Sequence, residues 1–411
     1  MSDCYTVPGL LPFEDALNKL LSQITPVKDV LTLPISKACN FILANEIISP
    51  LNVPNHDNSA MDGYAFAVQS LLAKNALTLV GKSMAGSPFQ GNCELGECIR
   101  IMTGAKIPDG CDTVEMQENV QVNENFIIFP KEKKLGAHVR CAGEDISLGQ
   151  QVFSQGHKLT TLDIGMLASL GISEVKVYRK LKVALIATGD ELKQPGQILS
   201  EGDIYETNSF VLSEILEKLN IDVINLGVIE DNFDLIQAAF INADKQADAV
   251  ISTGGVSVGE ADYTKAVLDD LGDISFWKIA IKPGKPFAFG KLPNSVFFGL
   301  PGNPVSALVT FHQLAMVGLT KMQNTKPLKR TTLKVKCISN LKKSPGRLDF
   351  QRGKFSVNEQ GESIVESTGA QGSGILSSLA QANCYIILAA EQGRVNAGEM
   401  VIVQLFDQFI C

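Results

Sequence analysis

The chain has 411 residues, 45% of them hydrophobic and 19% charged, with a formal net charge of −8. That composition supplies several packed cores and excludes a disordered chain. It also argues against a nucleic-acid binder, which would need a basic face to neutralise phosphates. The nine cysteines are scattered with no C-x-x-C pair, which suits reduced thiols in a cytosolic protein. The four histidines (His56, His138, His157, His312) form no H-E-x-x-H pair, so any metal should be hard and oxygen-bound.

Residues 12–24, PFEDALNKLLSQI, space Phe13, Ala16, Leu17, Leu20, Leu21 and Ile24 along one helical face. A second helix is expected near Ser36–Ala44. The start MSDCYTVPGLLPFEDALNKLL lacks a basic cluster and a long apolar core, so no signal peptide is expected. No apolar run reaches bilayer-spanning length, and the expectation is a soluble, cytoplasmic protein without membrane contact. The prolines and Asn/Asp residues of SPLNVPNHDNSAMDGYAF mark a loop into a new domain. From 65 to 145, short apolar stretches between Gly, Pro and Asn read as β-strands, and 160–172 returns to helical spacing.

Residues 182–320 repeat strand, polar turn and helix: KVALIATGDEL, NSFVLSEILEKLN, DVINLGVIEDN, DLIQAAFINA, DAVISTGGVSVGEAD, SVFFGLPGNPVSALVTFHQL. The repeat predicts a parallel sheet whose strand-to-helix turns share one edge, where such sheets take ligands. After Arg330, TTLKVKCI, GRLDFQRGKFSV, NCYIILA and EMVIVQLF predict a small barrel or sandwich of roughly 80 residues.

The turns of the α/β segment carry Asp190 and Glu191, Glu230 and Asp231, Gly254 and Gly255 with Glu260 and Asp262, and Pro301, Gly302, Asn303 and Pro304. Singly, each acidic turn reads as a solvated loop or helix cap. Together they gather carboxylates that repel one another unless a cation joins them, and Mg²⁺ suits a few carboxylates plus substrate phosphates. In FWKIAIKPGKPFAFG, strand alternation would put Lys278, Ala280 and Lys282 on one face. That face is either a lysine-guarded edge or a grip on an anion. Asp57 and Asp62 lie in a loop rich in turn formers, and STGAQGSG (367–374) either turns a hairpin or offers amides to an oxyanion.

NSAMDGYA, RIMTGA, GEDI, TGDEL, GGVSVGEADYTK, KIAIKPGKP, LPGNPVSA and GRLDFQRG, in this order, resemble the molybdopterin molybdenumtransferase family, bacterial relatives of the gephyrin E domain. Ala187 stands where many relatives have Ser, which leaves the neighbouring acid unchanged. The resemblance implies a multidomain α/β plus β protein. Its parts are a discontinuous helical linking domain (1–50 and 146–178), a β-rich inserted domain (51–145), a parallel-sheet α/β molybdopterin-binding domain (179–328) and a C-terminal β-barrel-like domain (329–411). It implies Mg²⁺-dependent insertion of molybdate into adenylylated molybdopterin with release of AMP, in a homodimer. Further implied partners are the upstream adenylyltransferase and downstream molybdoenzyme chaperones.

Carried over by motif, the catalytic residues are Asp62, Asp145, Glu191, Asp231, Asp262, Lys278 and Lys282, with Glu191, Asp231 and Asp262 on the metal. Substrate contacts fall to Thr103, Gly254, Gly255, Ser257, Pro301, Gly302, Asn303, Pro304, Arg352 and Ser373, with molybdate expected near Arg352 and Ser373. The alternative is a non-catalytic pterin- or nucleotide-binding scaffold, which would need neither the acids nor both lysines. A general phosphotransferase ranks behind both, because no G-x-x-x-x-G-K-[ST] loop is present.

Overall fold

The computed structural model describes residues 9–130, 132–255, 263–326, 330–407 and 409–410. They form two compact units. The first takes Met1–Leu31, Asn40–Ile42 and Val177–Cys411, and the second Thr32–Cys39 and Leu43–Lys176.

The second unit is built on a six-stranded sheet in the order Thr113–Met116, Gly63–Phe66, Glu97–Ile101, Ala76–Ser83, Phe126–Ile128, Gln121–Asn123. Alternation splits its core. Tyr64 and Phe66 pack with Leu77, Cys98, Ile127 and Phe129, while Ala65 points the other way to Ile101, Ala105 and Val114. Gly63 is required by close approach, since a Cβ there would lie 1.8 Å from the Glu115 carbonyl oxygen. The helix expected from 160–172 spans Thr161–Ser169 and opens with a Thr160/Asp163 capping box. The helix expected near Ser36–Ala44 does not form. A short 3-10 turn, Ile35–Lys37, precedes a left-handed Asn40, and the amides of Leu43 and Ala44 donate to His157 and Lys176 instead.

In the first unit, α1 (Phe13–Gln23) leads to the α/β repeat. This comprises β1 (Lys182–Thr188), α2 (Asn208–Lys218), β2 (Asp222–Ile229), α3 (Phe233–Gln246), β3 (Ala249–Thr253) and α4 (Tyr263–Leu271). Next come β4 (Asp273–Lys278), β5 (Ile281–Lys282), β6 (Pro286–Lys291), β7 (Val296–Leu300), α5 (Pro304–Thr310), a π turn over Phe311–Ala315, and α6 (Met316–Met322). The sheet order is β2-β1-β3-β7-β6-β4. The first four strands are parallel, and β6 and β4 extend the sheet antiparallel.

Both faces of this sheet are covered, so its strands read as continuous apolar runs. Val183 and Leu185 face Leu212, Ile215 and Leu216 of α2, in a core that also takes Ala16 and Leu20 of α1. Ala184 and Ile186 face Ile236 and Phe240 of α3 and Val267 and Leu268 of α4. Each such buried Leu, Ile or Phe contributes about 1.5–3 kcal/mol. Asn232 starts α3, its side-chain oxygen accepting from the amides of Asp234 and Leu235 at 3.0 and 3.2 Å.

The barrel follows, from β8 (Thr332–Cys337), β9 (Leu348–Val357), β10 (Ser363–Ser367), α7 (Leu376–Ala380), β11 (Cys384–Leu388) and β12 (Met400–Leu405). Strands run β9-β10-β8-β12-β11, and β11 pairs back onto β9 to close a five-stranded barrel. The segment β5 adds to β9 from outside, joining α/β chain to barrel sheet. Among the described residues, no helix is long and apolar enough to cross a membrane.

Candidate active site at the strand ends

Parallel register places four turns on one rim. Thr188 of β1 sits level with Ile229 of β2, Ala187 with Thr253 of β3, and Thr253 with Leu300 of β7. The chain leaves these strands at Gly189-Asp190-Glu191, Glu230-Asp231, Gly254-Gly255 and Pro301-Gly302-Asn303-Pro304. With strands about 4.8 Å apart, the four turns span roughly 14 Å. One end of the rim is acidic and the other is made of backbone.

At the acidic end, Asp190 ties two turns together. Its Oδ1 accepts the Asp231 amide proton at 2.9 Å. Glu191 folds back over its own turn, where a Cβ on Gly189 would lie 2.7 Å from the Glu191 Oε2. Burial, and then the charges of Asp190 and Glu191, push the Asp231 carboxyl above the usual carboxylate range. Such a group favours a nearby cation.

The expected metal set is Glu191, Asp231 and Asp262. Asp262 lies outside the described residues, as do Ser257 and Glu260. Among the described residues, no cluster of three His, Cys, Asp or Glu could hold a metal by itself. The donors that are present fit a hard ion such as Mg²⁺ that takes one or two carboxylates and draws its other ligands from water or phosphate.

At the backbone end, Gly254 has φ +89°, and a Cβ there would meet the Thr188 carbonyl oxygen at 2.6 Å. Gly255, at φ +62°, leaves its space to Thr264. The Gly254 amide donates to the Leu300 carbonyl at 3.1 Å, and Asn208 Nδ2 donates to the Gly302 carbonyl at 2.8 Å. Pro304 opens α5, where its missing N–H costs nothing. The Val305 amide donates to the Ser373 carbonyl at 3.0 Å, which docks a barrel loop onto this turn.

The lysines do not share one strand face as alternation suggested. β4 ends at the exposed Lys278, whose carbonyl accepts from Leu11 at 2.7 Å. The chain then turns, and Lys282 belongs to β5 on the barrel sheet, opposite Asp349. Its Nζ lies 3.6 Å from Oδ2 of Asp349, a carboxylate only 2% exposed that also accepts from Gln351 at 3.1 Å. The short Ile281-to-Ile279 amide contact shows the tight turn that breaks the alternation.

Arg352 also departs from expectation. Expected beside molybdate, its side chain is instead 1% exposed, buried beneath the 370–374 loop and α7. Nε donates to Ser378 Oγ at 3.1 Å and Nη2 to the Gly372 and Ala370 carbonyls at 3.0 and 3.4 Å. Gln371 clamps the same residue, accepting from the Arg352 amide at 2.8 Å and donating to its carbonyl at 3.1 Å. The loop carrying Ser373 is therefore folded around a buried charge.

In the second unit, Asp62 and Thr103 are brought together across the sheet. Asp62 Oδ1 accepts from the Thr103 amide at 2.8 Å and from its hydroxyl at 2.7 Å. The Thr103 amide and then its hydroxyl hold the Asp62 carboxyl below the usual range. Asp145 is exposed, its amide donating to the Val53 carbonyl at 3.1 Å. Reading the sequence missed Asn208, Asp349 and Gln371 as site builders. Asn208 opens a helix and so passes for an ordinary cap, Asp349 lies within a β-patterned stretch, and Gln371 sits in the small-residue loop 367–374 with no local sign of its partner.

Three family models match in chain order. They are the MoeA N-terminal region (domain I and II) over residues 11–171, the probable molybdopterin binding domain over 184–321, and the MoeA C-terminal region (domain IV) over 334–406. The chain is 50% identical to the molybdopterin molybdenumtransferase of Haemophilus influenzae, over 98% of this chain and all of that one. The chain belongs to the molybdopterin molybdenumtransferase family. It is a transferase of molybdenum cofactor biosynthesis, as the expectation from its motifs had it. Gephyrin of Dictyostelium discoideum is 31% identical over 96% of this chain and 62% of its own length. The crystal structure of the molybdopterin biosynthesis moeA protein from Pyrococcus horikoshii OT3 matches with a TM-score of 0.85 at 30% identity, covering 97% of this chain and 100% of that one.

Proposed function

We propose that this family member inserts molybdate into adenylylated molybdopterin with the help of Mg²⁺, hydrolysing the adenylyl bond and releasing AMP. The observation that carries the reading is the single rim on which acids and glycine backbone meet at four level strand ends. Bound at Glu191, Asp231 and Asp262, Mg²⁺ supplies positive charge where the pyrophosphate is opened.

The chain's own groups do the rest. Gly254, Gly255 and Gly302 let the substrate's phosphates approach the backbone closely, as no side chain stands in the way. Pro301, Asn303 and Pro304 complete the contour, and Ser257 is a further substrate contact. Lys278 and Lys282 offset the charge of the anions, and Thr103 keeps Asp62 ionised and oriented. Molybdate is assigned to the Gly372–Gly374 loop at Ser373, with the Arg352 charge directly behind the loop carbonyls. Asp145 completes the set in the second unit. The protein works as a cytoplasmic homodimer of four-domain chains, receives its substrate from an adenylyltransferase and passes its product to molybdoenzyme chaperones.

The test is turnover. Purified protein given adenylylated molybdopterin, Mg²⁺ and molybdate should release AMP and form active cofactor. Tight substrate binding without AMP release under any metal or molybdate condition would replace the enzyme by a binding scaffold.

A further inference from the structure

A single cation interrupts the apolar strand Glu97–Ile101 of the second unit. Cys98, Ile99 and Ile101 around it are fully buried, and Arg100 itself is half-buried. A guanidinium is costly to hold in such a place, so its contacts are informative. Strand pairing sets Arg100 opposite Tyr64, and its guanidinium carbon lies 4.9 Å from the centre of the Tyr64 ring. Arg100 is not among the residues carried over from the family motifs.

The two arms of Arg100 reach the chain around Asp62. Nη1 donates to the Gly63 carbonyl at 3.0 Å, and Nη2 donates to Gln117 Oε1. The Gln117 amide in turn donates to the Asp62 carbonyl at 3.1 Å. The carbonyls of Asp62 and Gly63 are therefore both anchored to Arg100, one through Gln117 and one directly. The strand that carries Arg100 runs on to Thr103, whose amide and hydroxyl hold the Asp62 carboxylate. Arg100 thus ties the segment that delivers Thr103 to the backbone that carries Asp62. Its charge also acts there. The Thr103 amide, then the Thr103 hydroxyl, then the Arg100 guanidinium hold the Asp62 carboxyl below the usual range.

We propose that Arg100 is a positioning residue of the reaction, bracing Asp62 so that its carboxylate meets the substrate in one orientation. A planar fork suits this task because it spans two acceptors at once, whereas a lysine is a point charge on a flexible stem. Arg100 acts through Asp62 and not by a substrate contact of its own. The proposal rests on the reading of Asp62 as a catalytic residue.

The experiment measures three things in the full chain: single-turnover AMP release from adenylylated molybdopterin with Mg²⁺ and molybdate, the Kd of that substrate, and the Asp62 carboxyl by carbon-detected NMR titration. It compares wild type with Arg100→Ala, Arg100→Lys, Gln117→Ala, Asp62→Asn and Asp62→Asn combined with Arg100→Ala. Lys82→Ala is the control, since Lys82 is an exposed cation directly opposite Arg100 on the neighbouring strand. Arg100→Ala should slow AMP release about 10- to 100-fold, the cost of misplacing a reacting group, with Kd within about threefold of wild type. The Asp62 titration should move up toward the ordinary carboxylate value. Arg100→Lys should recover part of both effects, because it restores the charge without the fork. Gln117→Ala should shift both in the direction of Arg100→Ala, and Lys82→Ala should shift neither. In the Asp62→Asn background, Arg100→Ala should slow release no further. Where Asp62→Asn leaves no measurable release, the NMR titration takes the place of the double variant. The brace is overturned if Arg100→Ala releases AMP within twofold of wild type, if it slows release equally with and without Asp62, or if Lys82→Ala matches it. Weaker substrate binding at an unchanged rate would make Arg100 a binding group and also overturn the proposal. Should Arg100→Ala fail to fold by circular dichroism, Arg100→Lys and Gln117→Ala decide alone. Wild-type AMP release by Asp62→Asn would instead overturn the catalytic reading of Asp62, and the NMR titration would still decide whether Arg100 braces it.

Discussion

Gly254→Ala tests whether backbone approach at the rim serves the substrate. The native φ of +89° lies in a region that costs an L-residue about 1–3 kcal/mol. The new Cβ would also sit 2.6 Å from the Thr188 carbonyl oxygen and 3.0 Å from its Oγ1, and the carbonyl is strand backbone that cannot rotate aside. Strain and overlap together cost roughly 2–4 kcal/mol if the turn keeps its shape. Relief comes more cheaply by displacing residues 253–255 by about 1 Å, and a shift of that size costs about 100-fold in rate at a positioned site. The assay pairs single-turnover AMP release with thermal melting. Gly302→Ala is the control, because its φ is not positive and its Cβ would make an ordinary 3.8 Å contact with the Gly254 Cα. Gly254→Ala should lower both rate and melting temperature, while Gly302→Ala should change stability by about 0.5 kcal/mol or less. A Gly254→Ala protein that melts early yet releases AMP within twofold of wild type would refute the substrate role of this backbone. Unchanged melting would refute the steric argument itself.

Three further outcomes are expected. The Asp231 carboxyl is raised in the fold, so its contribution favours folding at low pH and is lost as pH rises from the ordinary carboxylate value through the raised one. Asp231→Asn should therefore raise the melting temperature at pH 7 in chelator, and the gain should shrink at pH 4 and on adding Mg²⁺; scanning fluorimetry across pH checks this. Asp62 is lowered, so its contribution is present above the ordinary value and fades as pH falls through the lowered one. Thr103→Val removes the hydroxyl donor, and carbon-detected NMR titration should find the Asp62 carboxyl moved back toward the ordinary value. Arg352→Met leaves the Gly372 and Ala370 carbonyls and Ser378 without a charged donor, and such bonds are worth about 1.5–3 kcal/mol each. Hydrogen exchange should speed up in 368–374, and the molybdate requirement for activity should rise. Arg352→Lys should restore the charge without the fork and recover only part of either effect.

Much of this molecule is written in local periodicity. The run VALIA alternates between two covered faces, and that alone predicts a buried parallel strand, as β1 proves to be. A strand followed by Gly-Asp-Glu or by Pro-Gly-Asn-Pro must turn at its C-terminal end, so parallel packing brings the acids and glycines to one rim without further instruction. The motif order also carried the family, because eight short patterns in one sequence constrain each other. Local spacing does not contain long-range register. The alternation that put Lys278 and Lys282 on one face assumed an unbroken strand, and pairing of Ile281–Lys282 with the barrel decided otherwise. The helical pattern near Ser36–Ala44 lost to amides whose partners lie more than a hundred residues away. Arg352 is the plainest case. Burying a guanidinium is costly in general, so a charged residue in a linear sequence is read as a surface group. Only the folded loop, with the Ala370 and Gly372 carbonyls and Ser378 turned onto the guanidinium, offsets that cost and holds the charge buried beneath it.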